Sequence, residues 1–282
     1  MPGLLVSVKN VTEARFAIAG GCHVLDIKDP DQGSLGRARP SIISDILDFS
    51  TSITSKMPLS IALGELTDWA DSTARTDIRA DWNHVAYYKL GPSGIADPSD
   101  WQRQFTQARH ILHRAAITRP RAIAVLYADA HGARSFMPCT SRQATQDFVQ
   151  RIGELGCAGL LIDTWDKSGP SLNELLNSPA SEFRLQLRYV LETCREAGVI
   201  SALAGRLQHC DIKDLLAEEF TPDLFAVRSA VCEQANRQNA VSTEKVRDLV
   251  GLLAETHVSA AHAWFPRCDA ISIPVESLPP HA

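Results

Sequence analysis

A short unit recurs along this chain and restricts its fold more than any other feature. It consists of a helical pattern, a glycine, an apolar run, and then a polar residue or a small turn. Ala19-Gly20-Gly21 leads to the run 24–27 and ends at Lys28; Leu155-Gly156-Cys157 leads to 159–162 and ends at Asp163; Ala197-Gly198 leads to 199–203 and ends at Ala204-Gly205. Glycine just past a helix supplies the left-handed cap conformation. The apolar run behind it reads as a strand buried on both faces, and alternation of such strands with helices builds a parallel sheet.

Eight strands are predicted, over residues 4–7, 24–28, 59–63, 86–90, 122–127, 159–163, 200–204 and 224–227. Helices lie between them. Asn10 with Glu13 forms a capping-box pattern ahead of Ala14, Ala17 and Ile18, and apolar stripes follow at Phe148/Ile152/Leu155 behind a Ser141 cap, at Phe183/Leu187/Val190/Leu191/Cys194, and at Val246/Leu249/Val250/Leu253. Eight strands with interleaved helices in 282 residues fit an α/β (β/α)8 TIM barrel. A doubly wound open sheet is the competing arrangement, but it carries a glycine-rich phosphate loop after its first strand, where this chain has Ser7-Val8-Lys9-Asn10. The expected organisation is a catalytic barrel over 1–253 and a C-terminal tail over 254–282, rich in Ala, His and Pro, draped on the barrel or partly disordered.

Composition removes several classes of function. Net charge is −5 with no basic stripe, which argues against nucleic acid as a partner. The start shows no signal-peptide pattern, and no window approaches the roughly 18 apolar residues of a membrane helix. Seven cysteines without a Cys-x-x-Cys pair read as reduced, mostly buried thiols, and so as a cytoplasmic protein. The nine histidines show no metal-ligand spacing, and neither a metal nor a cofactor is expected.

The charges point to chemistry. The chain has seven lysines against twenty-one arginines, yet Lys28 and Lys89 end predicted strands and Lys167 lies four residues beyond a third. In a barrel these converge on the C-terminal face, together with Asp26, Asp163 and Asp129. Asp26 and Lys28 are two apart and therefore share a face. A lysine held there can lose its proton near neutral pH and form a Schiff base with a carbonyl, while a carboxylate moves protons. An ion pair just past the strand end is the other reading of Asp26 and Lys28. After strands seven and eight, Ala204-Gly205 and Arg228-Ser229-Ala230 occupy the usual phosphate site of this fold, although Gly205 alone also suits an ordinary turn.

The run Asp26-Ile27-Lys28-Asp29-Pro30-Asp31-Gln32-Gly33-Ser34-Leu35-Gly36 resembles the signature of the (5-formylfuran-3-yl)methyl phosphate synthase family of methanofuran biosynthesis. The resemblance continues in order through Tyr88-Lys89-Leu90-Gly91, Tyr127-Ala128-Asp129-Ala130, Leu161-Ile162-Asp163-Thr164 with Lys167, Ala202-Leu203-Ala204-Gly205 and Val227-Arg228, over roughly residues 3 to 250. It implies a (β/α)8 lyase that condenses two glyceraldehyde 3-phosphate molecules, with loss of phosphate and water. Carried over by position, Lys28 is the Schiff-base lysine, and Asp26, Lys89, Asp163 and Lys167 complete the site. Asp163 is then the expected proton shuttle and Asp26 supports Lys28. Lys89 and Lys167 lower the pKa of Lys28 and hold phosphate, Lys167 above all, with Gly205, Arg228, Ser229 and Asp129 also expected at the substrate. The chain departs from the pattern at Arg206 and Ser229, and the segment 65–83 and the tail have no clear counterpart. Two rivals stay open: a class I aldolase-like enzyme on another phosphosugar, and a non-catalytic barrel binding a phosphorylated metabolite. A homo-oligomer formed through the outer helices is the expectation for assembly.

Overall fold

All eight apolar runs form strands of one closed parallel barrel in the computed structural model, which describes residues 1–53, 57–70, 79–115, 117–178 and 182–255. The strands are β1 (Gly3–Val8), β2 (Val24–Ile27), β3 (Leu59–Glu65), β4 (Tyr87–Gly91), β5 (Arg121–Tyr127), β6 (Gly159–Asp163), β7 (Ile200–Leu203) and β8 (Leu224–Val227). Each pairs with its neighbour in sequence, and β8 closes on β1 through the register Gly3↔Leu224 to Val6↔Val227. The described helices are α1 (Val11–Ala19), α2 (Pro40–Ile53), α3 (Pro98–Arg114), α4 (Ala130–Ala133), α5 (Arg142–Glu154), α6 (Leu172–Leu176), α7 (Phe183–Ala197), α8 (His209–Ala217) and α9 (Thr243–Glu255). The glycine caps work as expected after α7, where Gly198 has φ +67°, whereas after α1 the left-handed residue is Gly21 rather than Gly20.

Alternation along each strand divides the apolar residues into two layers. Leu4, Val6, Leu25, Ile27, Ile162 and Phe225 face the helices in the outer core, while Ile123, Val125, Leu161 and Ala202 fill the barrel. Charged side chains sit above that inner layer. The ladder partners Ser7↔Asp26↔Ser60 and Ala62↔Lys89 carry two of them, and β6 ends on Asp163 opposite Tyr127 of β5.

Two regions differ from the sequence expectation. The register of β3 against β4 shifts between Ala62 and Glu65, which brings Glu65 opposite Gly91; a bulge of this kind re-aims a side chain. Of the segment 65–83, the described parts bury Trp69 and Trp82, whose ring centroids lie 5.7 and 5.0 Å from the Arg37 guanidinium. Helix α9 runs through Glu255, and the rest of the expected tail, 256–282, lies outside the described residues. Among the described residues no helix is long and apolar enough to cross a membrane.

Candidate active site

The C-terminal mouth of the barrel opens into a cleft lined by Asp26, Lys28, Lys89, Asp163 and Lys167 among others. Period-two alternation puts Asp26 and Lys89 inside the barrel, and Lys28 follows directly on β2, its N–H still bonded to Val8 O at 3.0 Å. Asp26 pairs with Lys89, not with Lys28: Lys89 Nζ donates to Asp26 Oδ1 at 2.6 Å, and Ser7 Oγ donates to Oδ2 at 2.9 Å. Asp163 pairs with Lys167, whose Nζ donates to Oδ1 at 2.7 Å, to the Thr164 carbonyl and to Thr164 Oγ1.

Lys28 is the lysine left over. Its side chain is buried and makes no hydrogen bond or ion pair among the described residues. Burial pulls its pKa down to about 7; Asp163 and Asp26 oppose that shift, whereas the nearby cations Lys167 and Lys89 reinforce it. Both carboxylates already hold other lysines, and neither makes a direct ion pair with Lys28 among the described residues.

Asp163 faces the opposite balance. Burial pushes its carboxyl up, but Lys167, Lys28 and hydrogen bonds from Lys167 Nζ and the Thr164 N–H together hold it below the usual carboxylate range. Ser34, from the loop after β2, donates to Asp163 Oδ2 at 3.0 Å and also lies 2.9 Å from the Thr164 carbonyl. Beside this network Tyr127 donates to Glu65 Oε1 at 2.7 Å, and the Ser93 N–H donates to Oε2 at 3.0 Å. Burial raises the Glu65 pKa despite those two bonds. A Cβ on Gly91 would collide with the Glu65 carboxylate and the Tyr127 hydroxyl, so the glycine makes room for the pair. Ser34 stands in the quoted signature and could have been singled out there. Glu65 lay in the unaligned segment and carried no signal.

The residues expected to hold phosphate are placed differently from one another. Gly205, with φ +99°, and Ser229 line the cleft, and their N–H groups meet no acceptor among the described residues. A Cβ on Gly205 would stand 2.9 Å from Leu172 Cβ. Arg228 is occupied internally: its guanidinium pairs with Glu13 at 2.9 and 3.2 Å, and it also bonds the Ser7 and Arg237 carbonyls. Glu13 therefore does not complete the expected capping box. Asn10 Oδ1 accepts from the Glu13 N–H, while the Glu13 carboxylate takes the Lys9 N–H and Arg228. The Asp129 carboxylate accepts the N–H groups of Trp165 and Asp166 at 2.7 and 2.8 Å, which anchors the loop after β6. Lys167, expected to hold phosphate, is folded back onto Asp163. No cluster of metal-ligating side chains occurs among the described residues.

A parallel eight-stranded barrel with a buried, unpaired lysine beside two lysine–aspartate pairs at its C-terminal mouth defines a (β/α)8-barrel enzyme. Residues 4–250 match the family model described as 4-HFC-P synthase, and the chain belongs to that family. It is 28% identical over 255 residues to the (5-formylfuran-3-yl)methyl phosphate synthase of Methanopyrus kandleri, covering 90% of this chain and 99% of the relative. It is also 28% identical to the enzyme of the same name from Methanococcus aeolicus, covering 88% and 98%. Among solved structures, thiamine phosphate pyrophosphorylase from Pyrococcus furiosus superposes with a TM-score of 0.52 at 11% identity, over 90% of this chain and 96% of that one. KGPDC from Streptococcus mutans gives 0.52 at 12% identity, over 91% and 100%. At those identities the likeness concerns the barrel fold.

Proposed function

We propose that this enzyme joins two glyceraldehyde 3-phosphate molecules through a Schiff base on Lys28 and releases (5-formylfuran-3-yl)methyl phosphate, serving a methanofuran-like one-carbon carrier in the cytoplasm. The atoms balance as two triose phosphates giving the furan aldehyde phosphate, one inorganic phosphate and two waters, so the net reaction needs neither oxidant nor reductant. The neutral Lys28 amine attacks an aldehyde, and the resulting imine acidifies the adjacent carbon. Asp163, held as an anion, takes that proton. The enamine can then expel the β-phosphate or attack a second aldehyde. Lys89, fixed on Asp26, and Lys167, fixed on Asp163, keep cationic charge beside Lys28 and stabilise oxyanions, and Gly205 and Ser229 offer backbone N–H groups to a phosphate.

The observation that carries this reading is the buried Lys28 amine without a partner among the described residues, beside two carboxylates that already hold other lysines. Mass spectrometry after borohydride reduction with glyceraldehyde 3-phosphate tests it. One triose-derived adduct on Lys28 is expected, alongside an ultraviolet-absorbing furan and released phosphate in unreduced reactions. An adduct with no furan would favour an aldolase-like reaction, and no adduct would favour a binding barrel. Lys28→Met leaves no amine to form an imine and buries no fixed charge, so it should abolish the product; turnover at about a tenth of the native rate or better would refute the Schiff base.

A further inference from the structure

The cations around the cleft are not equivalent. Lys89, Lys167 and Arg228 are each neutralised by a buried carboxylate, namely Asp26, Asp163 and Glu13. Lys28 is reserved for covalent chemistry if the proposed function holds, and the present inference rests on that reading for the identity of the ligand. Two cleft-lining cations remain, Arg206 and Arg237; neither makes an ion pair within 4.0 Å among the described residues, although Arg206 feels Asp166 and Glu174 and Arg237 feels Asp163 and Asp31 at longer range.

Both arginines are held in place by bonds that leave guanidinium donors over. Arg206 follows Gly205, and the two have φ +60° and +99°. A left-handed arginine is costly, and such strain persists where the surroundings enforce it. Here Arg206 Nη1 is bonded to the Gly169 carbonyl in the loop after β6. Arg237, in the loop after β8, donates only through Nη2, to Pro30 O at 2.9 Å and Gly33 O at 3.1 Å in the loop after β2. Its Nε and Nη1 make no bond among the described residues. Those two tethered loops carry Lys167 and Ser34, the two side chains that bond Asp163.

We propose that Arg206 and Arg237 form an anion clamp for phosphate monoesters, gripping the phosphate of a bound substrate while fixing the loops that orient Asp163. The guanidinium fork suits this double task, because one edge can hold carbonyl oxygens while the other meets phosphate oxygens. A substrate lacking phosphate would leave the clamp empty.

Calorimetric titration of the full chain with inorganic phosphate tests the clamp without requiring turnover. Wild type should bind phosphate. Arg237→Met and Arg206→Gly should each weaken binding by about tenfold or more, and Arg237→Lys should recover part of the loss. Arg206→Gly suits the left-handed backbone and decides the matter if Arg237→Met does not fold. No phosphate binding by wild type, or binding within about threefold of wild type in the folded double variant, would overturn the proposal. Reductive trapping of Lys28 reads the Schiff base and the phosphate titration reads the clamp, so either can fail alone.

Discussion

At the scale of single residues, the Lys28 amine gives the site a response to pH near neutrality. Burial lowers the pKa of Lys28 to about 7, with Lys167 and Lys89 adding to the shift. Imine formation requires the neutral amine, so cyanoborohydride trapping by unphosphorylated glyceraldehyde should speed up about tenfold between pH 6 and 8 and level off above. The same shift governs stability. Between pH 7 and the ordinary lysine range the unfolded chain binds a proton that the folded chain does not, so stability rises with pH across that window. Below pH 7 the folded protein holds a buried ammonium ion at full cost. Lys28→Met should therefore melt higher than wild type at pH 6, with the gap shrinking as pH approaches 10. Thermal melts of both proteins over that range check it, and a gap independent of pH would show that Lys28 titrates normally.

At the scale of elements, a buried ion pair bridges the seam where β8 closes on β1. Arg228 follows β8, and Glu13, on α1 just after β1, is 2% exposed. Removing one partner leaves the other charged and buried, so Arg228→Met should cost about 3–5 kcal/mol in denaturant unfolding. The double variant Glu13→Leu/Arg228→Met should cost less than the sum of its singles, because no lone charge remains. This seam also marks how far the sequence could be read. β2, β6 and β7 were legible because each follows a helix-ending glycine turn as a continuous apolar run, and Asp26, Lys28, Lys89 and Asp163 were legible because strand periodicity sends them into the barrel. Pairing was not legible. Glu13 looked like a local cap and Arg228 like a phosphate ligand, yet they meet across 215 residues. In the same way Asp26 was read with Lys28, two residues away on its own strand, although the lysine it holds arrives from β4. The Glu65–Tyr127 contact needed a register shift in β3 and a glycine in β4, and neither leaves a periodic mark.

At the scale of the whole molecule, charge is distributed against the net sign. The chain carries a formal charge of −5, yet its cleft is lined by six basic side chains, Lys28, Lys89, Lys167, Arg206, Arg228 and Arg237. Asp26, Asp163 and Glu13 neutralise Lys89, Lys167 and Arg228, which leaves Arg206 and Arg237 as its fixed cations outside those pairs. The remainder of the molecule is correspondingly acidic. A cationic cleft in an acidic body focuses the field at its mouth, attracting phosphorylated substrates there while the outer surface repels them. Salt weakens such guidance, since the screening length falls from about 30 Å at 0.01 M to about 10 Å at 0.1 M ionic strength. Raising salt across that range should lower kcat/KM for the proposed substrate glyceraldehyde 3-phosphate severalfold and leave kcat nearly unchanged, because the paired charges inside the barrel are shielded from the ions. Trapping of Lys28 by unphosphorylated glyceraldehyde, which carries no charge to steer, should be almost insensitive to salt. Steady-state kinetics with the triose phosphate and trapping with the neutral aldehyde, run in the same buffers, separate the two effects. An equal salt dependence for both would place the effect on Lys28 itself and remove the field from the account of substrate capture.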